Sequence, residues 1–439
     1  MERTLHITSA DQPAALFDLP WHIPLLNWPK SLLASLPRGI SRHVVRFVKL
    51  DGHILAIKEI TDNVAQREYE SLRRLSRDEA PCVEPVAVVS GRCDTEGNPL
   101  PSALVTRHLA FSLPYRILFG QMSMRPETAE RLIGALAVLL VRLHLHGFFW
   151  GDVSLSNTLF RRDAEEFSAY LVDAETGEFY PHMSEKRRLY DIEVASVNIV
   201  GELMDLQAGG VLSDECDAIR VGRRLEERYS SLWNELTSEE RFSTQDRWRI
   251  DNRIRRLNDL GFDVGELAMR TTEDGNSIVI RPRIVDAGHY SRKIMQLTGL
   301  DVQEKQARRM LNSIEQFRVV NNMMDTPMSL VAHDWMMNVF EPIVQAIPPN
   351  MRAKLEPAQL FHEFLDHRWF MAERAGHDVS LEDALNSYVH EVLEHRPDES
   401  HLIVQNIDET GEFDAISEQQ NFASNYRTDF DDEWSGYLA

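Results

Sequence analysis

Residues 43–50 are rich in Val and Phe, Asp51-Gly52 is a tight-turn pair, and residues 53–60 form a second apolar run. That order predicts a β-hairpin, because Asp-Gly readily takes the positive φ values of a type I′ turn. Lys58 falls on the second strand. From residue 64 the period changes. Val64, Glu68, Leu72 and Leu75 are spaced by four, four and three, which places them on one face of a helix over 64–75. Glu68 therefore sits on the stripe that packs inward, while Glu70 points elsewhere. Residues 83–89 and 103–106 read as further strands, with turn formers Gly91, Asp94, Gly97 and Asn98 between them. A long helix is predicted from Pro126, at a first-turn position, to Gly147, at a C-cap position. A loop over 150–157, a short strand over 158–160 and a strand over 170–172 ending at Asp173 complete the pattern. A β-rich half followed by helices predicts an α+β fold with two lobes and a cleft between them.

The flanks read differently. The first 30 residues are rich in Pro and Trp (Pro13, Pro20, Trp21, Pro24, Trp28, Pro29) and predict an irregular, packed lead-in. From Leu189 onward the chain is mostly helical by pattern, including 192–206 and 214–236. Residues 278–285 suggest a strand after an Asp274-Gly275 turn, confined by Pro282 to a sheet edge. No internal repeat is visible. The expected organisation is a lead-in over 1–34, the two-lobed domain over 35–210, a mostly helical C-terminal domain over 211–400, and an acidic flexible tail over 401–439.

Composition narrows the function. The 439 residues are 43% hydrophobic and 26% charged, ordinary for a globular protein that buries a sizeable core. The net charge of -22 argues against general nucleic-acid binding, which needs a basic face. Cys82, Cys93 and Cys216 form no CxxC pair or metal-ligand spacing. The N-terminus lacks a basic region leading into an apolar one. The most apolar run, 132–141, is too short to span a bilayer and reads as a buried helix. A cytoplasmic location without a membrane span is the expectation.

Phosphoryl transfer needs a cation for the α/β-phosphates, a carboxylate to hold that cation, oxygen ligands for Mg²⁺, and a base for the acceptor hydroxyl. The chain offers these parts in order. Lys58 is on a strand, and Glu68 is on the inward face of the next helix. Asp152 sits in a loop directly after a helix, Asn157 lies five residues on, and Asp173 follows a strand. Gly151-Asp152-Val153-Ser154-Leu155-Ser156-Asn157 resembles the catalytic loop of the protein-kinase-like superfamily. It is most similar to the form found in the lipopolysaccharide (Kdo) kinase and RIO-like branch. Leu171-Val172-Asp173 resembles the strand and metal-binding Asp of the DFG element, Ala56-Ile57-Lys58 the VAIK strand, and Arg67-Glu68-Tyr69 the helix-C glutamate segment. Thr106-Arg107-His108-Leu109 falls where a hinge would hold adenine. The remainder resembles an uncharacterised bacterial family, with actinobacterial members, that carries a C-terminal domain of unknown role.

The resemblance implies a two-lobed kinase-like fold, ATP and Mg²⁺ as cofactors, and an atypical kinase acting on an unknown hydroxyl acceptor. Asp152, Lys58 and Glu68 would be catalytic. Lys58, Gly39, Ser41, Arg42, Arg107 and Leu109 would hold nucleotide, and Asn157 with Asp173 would hold the metal. Three departures accompany it. Trp150-Gly151 precedes Asp152 where kinases have His-Arg, so Trp150 is expected to supply packing rather than polar anchoring. Asp173-Ala174-Glu175 has no glycine, and Arg38-Gly39-Ile40-Ser41-Arg42 has one where a glycine-rich loop has three. The poor loop motivates an alternative: a pseudokinase-like nucleotide-binding or scaffold protein, with the helical C-terminal region engaging a protein partner. Asp191 follows Asp173 by 18 positions (191 minus 173) and is placed to brace the catalytic loop. So short a segment favours a small-molecule, saccharide, lipid or unusual protein acceptor over a conventional peptide.

Two metal-like strings do not qualify. The histidines of His362-Glu363-Phe364-Leu365-Asp366-His367 and of His390-Glu391-Val392-Leu393-Glu394-His395 are five apart, diverging by about 140° on a helix. They read as helix-surface histidines.

Overall fold

The computed structural model describes residues 4–10, 14–34, 43–121, 126–238, 240–243, 252, 262–263, 266–271, 277–283, 286–396 and 398–399. These belong to one compact unit, Met1–Leu402. Gly39, Ser41, Arg42, the Asp274-Gly275 turn and the tail over 401–439 lie outside the described residues.

The N-terminal lobe is a five-stranded antiparallel sheet. Its strands are β1 (His6–Ser9), β2 (Val45–Leu50), β3 (His53–Ile60), β4 (Pro85–Ser90) and β5 (Ser102–Arg107), in the order β1-β4-β5-β3-β2. Asp51 and Gly52 both have positive φ, 48° and 80°, and close the β2–β3 hairpin where the sequence placed it. The sheet's two faces follow the period of two. Leu55, Ile57, Ala87, Val89, Ala103 and Val105 turn toward the lead-in and its buried Leu16, Trp21, Leu25 and Trp28. Ile60, Val88 and Leu104 turn the other way, toward helix α1 (Asp62–Arg77). Lys58 shares their parity, so its side chain emerges on the α1 side. Helix α1 buries Ala65, Glu68, Tyr69, Leu72 and Leu75. Glu68 is on that stripe and Glu70 is exposed, as the helix periodicity requires.

The lead-in is fastened by one buried cation. Arg92, 1% exposed, donates to Trp21 O (3.0 Å), Ile23 O (2.9 Å), Pro101 O (2.9 Å) and Glu59 Oε1 (2.9 Å). A buried guanidinium is tolerated only where its donors are satisfied in this way.

The second lobe follows β6 (Ser112–Pro114), α2 (Tyr115–Gln121) and α3 (Pro126–Leu145). The short β7 (Phe148–Phe149) precedes the hairpin of β8 (Thr158–Asp163) and β9 (Glu166–Leu171), and β10 (Glu178–Phe179) then pairs with β7. Helices α4 (Glu185–Ala208) and α5 (Ala218–Thr237) pack with α3 around one apolar core. Gly222 makes the α4–α5 contact close: a Cβ there would lie 2.7 Å from the Val200 side chain.

Beyond α5, five short strands precede the last helices among the described residues. The strand Ser277–Arg283 lies between Glu240–Ser243 and Glu266–Thr271, so it is central rather than an edge. Pro282 is accommodated because Glu240–Ser243 pairs only with residues 277–280, leaving Pro282 opposite Leu267 alone. The helices His289–Thr298, Glu304–Val320, Met328–Trp335 and Pro357–Ala375 then enclose a separate core around Trp335, Phe340, Phe361 and Phe364. The whole is an α+β protein with an antiparallel-sheet lobe, a helical lobe and a mostly helical C-terminal region. Among the described residues no helix is long and apolar enough to cross a membrane.

The C-terminal helices corrects one expectation about their histidines: His362 and His367 are 3% and 6% exposed, so neither is a surface residue. Helix Pro357–Ala375 is covered on one side by its own core and on another by the β8–β9 hairpin, where Gln359 donates to Ala164 O at 3.1 Å. Burial pushes His362 down to about 3, helped by the nearby Arg309. A histidine whose folded pKa is depressed stabilises the fold above its unfolded value of about 6.5 and loses that contribution as pH falls toward 3. Asp163 and Glu356, raised by burial to about 6 and about 7, act with the opposite sign in the same range. Comparing wild type with His362→Phe isolates the histidine. Between pH 6.5 and 5 the wild type should lose about 2 kcal/mol more of unfolding free energy in urea titrations. Equal losses would show that His362 does not titrate this way.

Candidate active site

Three side chains from three elements meet in one ion-paired group. Lys58 Nζ, on β3, lies 2.8 Å from Glu68 Oε2 and donates to Glu68 Oε1 at 3.0 Å. It also donates to Asp173 Oδ2 at 3.1 Å. Glu68 is 1% exposed. Burial works against the Lys58 ammonium, but the Glu68 and Asp173 carboxylates outweigh it and hold its pKa above the usual lysine value. Burial likewise pushes Glu68 up to about 7, against the pull of Lys58. The two directions are compatible: Lys58 stays charged, and Glu68 relies on that charge to stay ionised. The N–H of Ala174 adds a bond to Glu68 Oε1 at 3.3 Å, tying α1 to the segment after β9.

Asp173 and Asn157 are neighbours because of the β8–β9 register. Thr158 pairs with Leu171, and the N–H of Val172 donates to Asn157 O at 3.1 Å. Asn157 Nδ2 donates to Asp152 O at 3.0 Å and approaches Asp152 Oδ2 at 3.4 Å. With its N–H₂ engaged on Asp152, the Asn157 amide keeps its oxygen as an acceptor.

The loop carrying Asp152 is held from beneath by α4. Asp191, fully buried, accepts from Trp150 N (2.9 Å) and Gly151 N (2.8 Å). It also bonds His144 Nε2 at 3.0 Å. A carboxylate can only accept, so Nε2 carries that proton and His144 Nδ1 accepts from Tyr229 OH at 2.7 Å. Gly151 has φ +79°, and a Cβ there would sit 3.1 Å from the Phe149 ring. A side chain at 151 would be strained and crowded at the turn that presents Asp152.

Trp150 departs from its expected role. Besides packing, fully buried, its indole Nε1 donates to Asp173 O at 2.7 Å, and its carbonyl accepts from Thr176 Oγ1 at 2.7 Å. It is a polar anchor between the catalytic-type loop and the Asp173 segment. Glu175, in the place of the missing glycine, is engaged as well: its carboxylate bonds His43 Nε2 at 2.9 Å, and its carbonyl accepts from Arg67 at 2.8 Å.

The adenine-side candidates lie apart from this group. Arg107 ends β5, and its side chain pairs with Glu84 at 3.0 Å. Leu109 follows in the connection between lobes, its carbonyl accepting from Ser112 Oγ at 2.6 Å. Neither bonds the Lys58–Asp152 group among the described residues. The structure thus brings together Lys58, Glu68, Asp173, Asn157 and Asp152, and leaves Arg107 and Leu109 at the interlobe connection.

Comparison with known proteins adds two findings. Residues 231–393 match the family model of a domain of unknown function, DUF4032. No curated protein matches the chain. Among solved structures it is similar to one described as WaaP in complex with acyl carrier protein, at 16% identity over 58% of this chain and 99% of that one, with a TM-score of 0.36. The site's own geometry, rather than so distant a likeness, carries the chemistry.

Sequence patterns did not single out Glu202, Asn198, His144 or Thr176. The first two had a legible signal: with Asp191 they fall at spacings of seven and four, one face of α4. His144 and Thr176 had none.

Among the described residues no group of three or more His, Cys, Asp or Glu side chains is arranged to hold a metal ion. The Asp173 carboxylate and the Asn157 amide oxygen are hard donors, and Mg²⁺ is ordinarily held by one or two carboxylates together with substrate phosphates. The donor set fits a metal that arrives with a nucleotide.

Proposed function

We propose that the chain is an ATP- and Mg²⁺-dependent phosphotransferase acting on a hydroxyl acceptor. The observation that supports it is the convergence of Lys58, Glu68 and Asp173 in one ion-paired group, beside a loop that ties Asn157 to Asp152. Lys58 would bind the α/β-phosphates, with Glu68 orienting it. Asn157 and Asp173 would hold Mg²⁺, which when bound neutralises charge on the phosphates. Asp152 would accept the proton of the acceptor hydroxyl as its oxygen bonds to the γ-phosphorus. The bond from that phosphorus to the bridging oxygen breaks, and ADP leaves with the electron pair.

The acceptor would be a small molecule, saccharide, lipid or unusual protein rather than a conventional peptide. Between Asp173 and the start of α4 at Glu185 the chain has room for the short β10 and its turns.

Titration with Mg·ATP followed by thermal unfolding tests the reading. At 100 times Kd a bound nucleotide stabilises by about 2.7 kcal/mol. The expected result is a Mg²⁺-dependent rise in Tm that Asp173→Asn removes. No rise at millimolar Mg·ATP would contradict it, and a rise without turnover would favour a nucleotide-binding protein that lacks catalysis.

A further inference from the structure

Helix α4 meets the catalytic-type loop at three points. Asp191 takes the N–H groups of Trp150 and Gly151. Asn198 Nδ2 donates to Val153 O at 3.0 Å. Glu202 takes Leu155 N on Oε2 at 2.7 Å and Ser156 N on Oε1 at 2.9 Å, with Ser156 Oγ on the same Oε1. The three side chains are seven and four residues apart, so they share a face and span about 16 Å of helix. The loop runs along that face in the same direction, fastened at its start, middle and end.

The two functional side chains sit at different places in this arrangement. Asp152 lies directly after the Asp191 clamp. Asn157 lies directly after the Glu202 clamp, its N–H donating to Ser154 Oγ at 3.1 Å. Tyr115, the first residue of α2, lies beside Ser156 and Glu202, so the Glu202 end of the loop reaches the segment that follows the interlobe connection.

We infer that Glu202 is a positioning residue for Asn157. Its carboxylate fixes the backbone of residues 155–156 and thereby sets where the Asn157 amide oxygen stands. The inference rests on the proposed phosphotransferase reading. Glu202 accepts three hydrogen bonds on two oxygens, and an amide in its place offers one acceptor oxygen and turns an N–H₂ toward a backbone N–H. Glu202→Gln therefore removes at least one bond to the loop without changing side-chain size. Lys58, Glu68 and Asp173 keep their contacts.

The test uses the full chain. Phosphate release from Mg·ATP, with water as acceptor, is measured together with amide hydrogen exchange. Relative to wild type, Glu202→Gln should lower turnover about tenfold, the effect of one lost charge-assisted hydrogen bond. The Mg²⁺ concentration giving half-maximal rate should rise several-fold, and exchange at the amides of Leu155 and Ser156 should quicken. ATP affinity at saturating Mg²⁺ should stay within about twofold. Ser156→Ala, which removes only the hydroxyl contact, should move the same quantities less and serves should the first variant not fold. Unchanged exchange, or unchanged turnover and Mg²⁺ requirement, in the face of an active wild type overturns the inference alone. A general loss of Tm and ATP binding would assign Glu202 to the fold and overturn it too. A wild type that binds and turns over no ATP overturns the phosphotransferase reading, and this inference with it.

Discussion

Asp152→Asn is expected to lower phosphoryl transfer by about 10²- to 10⁴-fold, the usual contribution of a positioned general base. ATP affinity should change little, because Asp152 is not among the groups bonded to Lys58. The variant isolates chemistry from folding for a structural reason. The backbone of the loop is held by Asp191, through the N–H groups of Trp150 and Gly151. The Asp152 carbonyl, which takes the stronger of the two bonds from Asn157, is retained in the variant. What Asn cannot do is accept a proton from the acceptor. Steady-state rates with Mg·ATP, alongside calorimetric titration of nucleotide, separate the two quantities. Unchanged turnover would remove Asp152 from its role.

Lys58→Met should have the largest effect on stability at the site, about 3 kcal/mol, the lower end of the range for breaking a buried ion pair. The cost arises less from the lost lysine than from what it leaves. Glu68 is almost fully buried and already raised to about 7 by burial, with the Lys58 charge pulling the other way. Without that charge the carboxylate must take up a proton or remain buried beside Asp173. Glu68→Gln placed on top of Lys58→Met removes the stranded charge, so the double variant should recover most of the lost stability while transfer stays abolished. Urea unfolding of the four proteins in the cycle measures the coupling directly. Equal destabilisation by the single and double variants would show that Glu68 does not depend on Lys58.

Much of this site was legible along the chain, for local reasons. The parity of β3 and the stripe of α1 turn Lys58 and Glu68 toward each other, and both are short-range periodicities. Asp173 and Asn157 come together because a hairpin joins the residues that carry them. What escaped was set by contacts between distant elements. The Trp150 indole bond depends on the Asp173 carbonyl, and an indole in a sequence reads only as bulk. His362 and His367 read as surface residues because five-residue spacing places them on different faces of a helix. Helix Pro357–Ala375 buries more than one face, one against its own core and one against the β8–β9 hairpin. After α5 the strand Ser277–Arg283 was legible as the predicted 278–285, whereas its two neighbours in the sheet were hidden. Glu266–Thr271, Glu-Leu-Ala-Met-Arg-Thr, is made largely of good helix formers, and only its pairing with Ser277–Arg283 makes it a strand.

The most direct measurement is phosphorus NMR of ATP incubated with the full-length chain and Mg²⁺, run in parallel with Asp152→Asn. The expected result is loss of the γ-phosphate resonance with growth of ADP for the wild type, and a rate at least about 10²-fold lower for the variant. Equal spectra for the two proteins, with the γ-phosphate intact or lost at the same rate, would contradict a phosphotransferase built on Asp152.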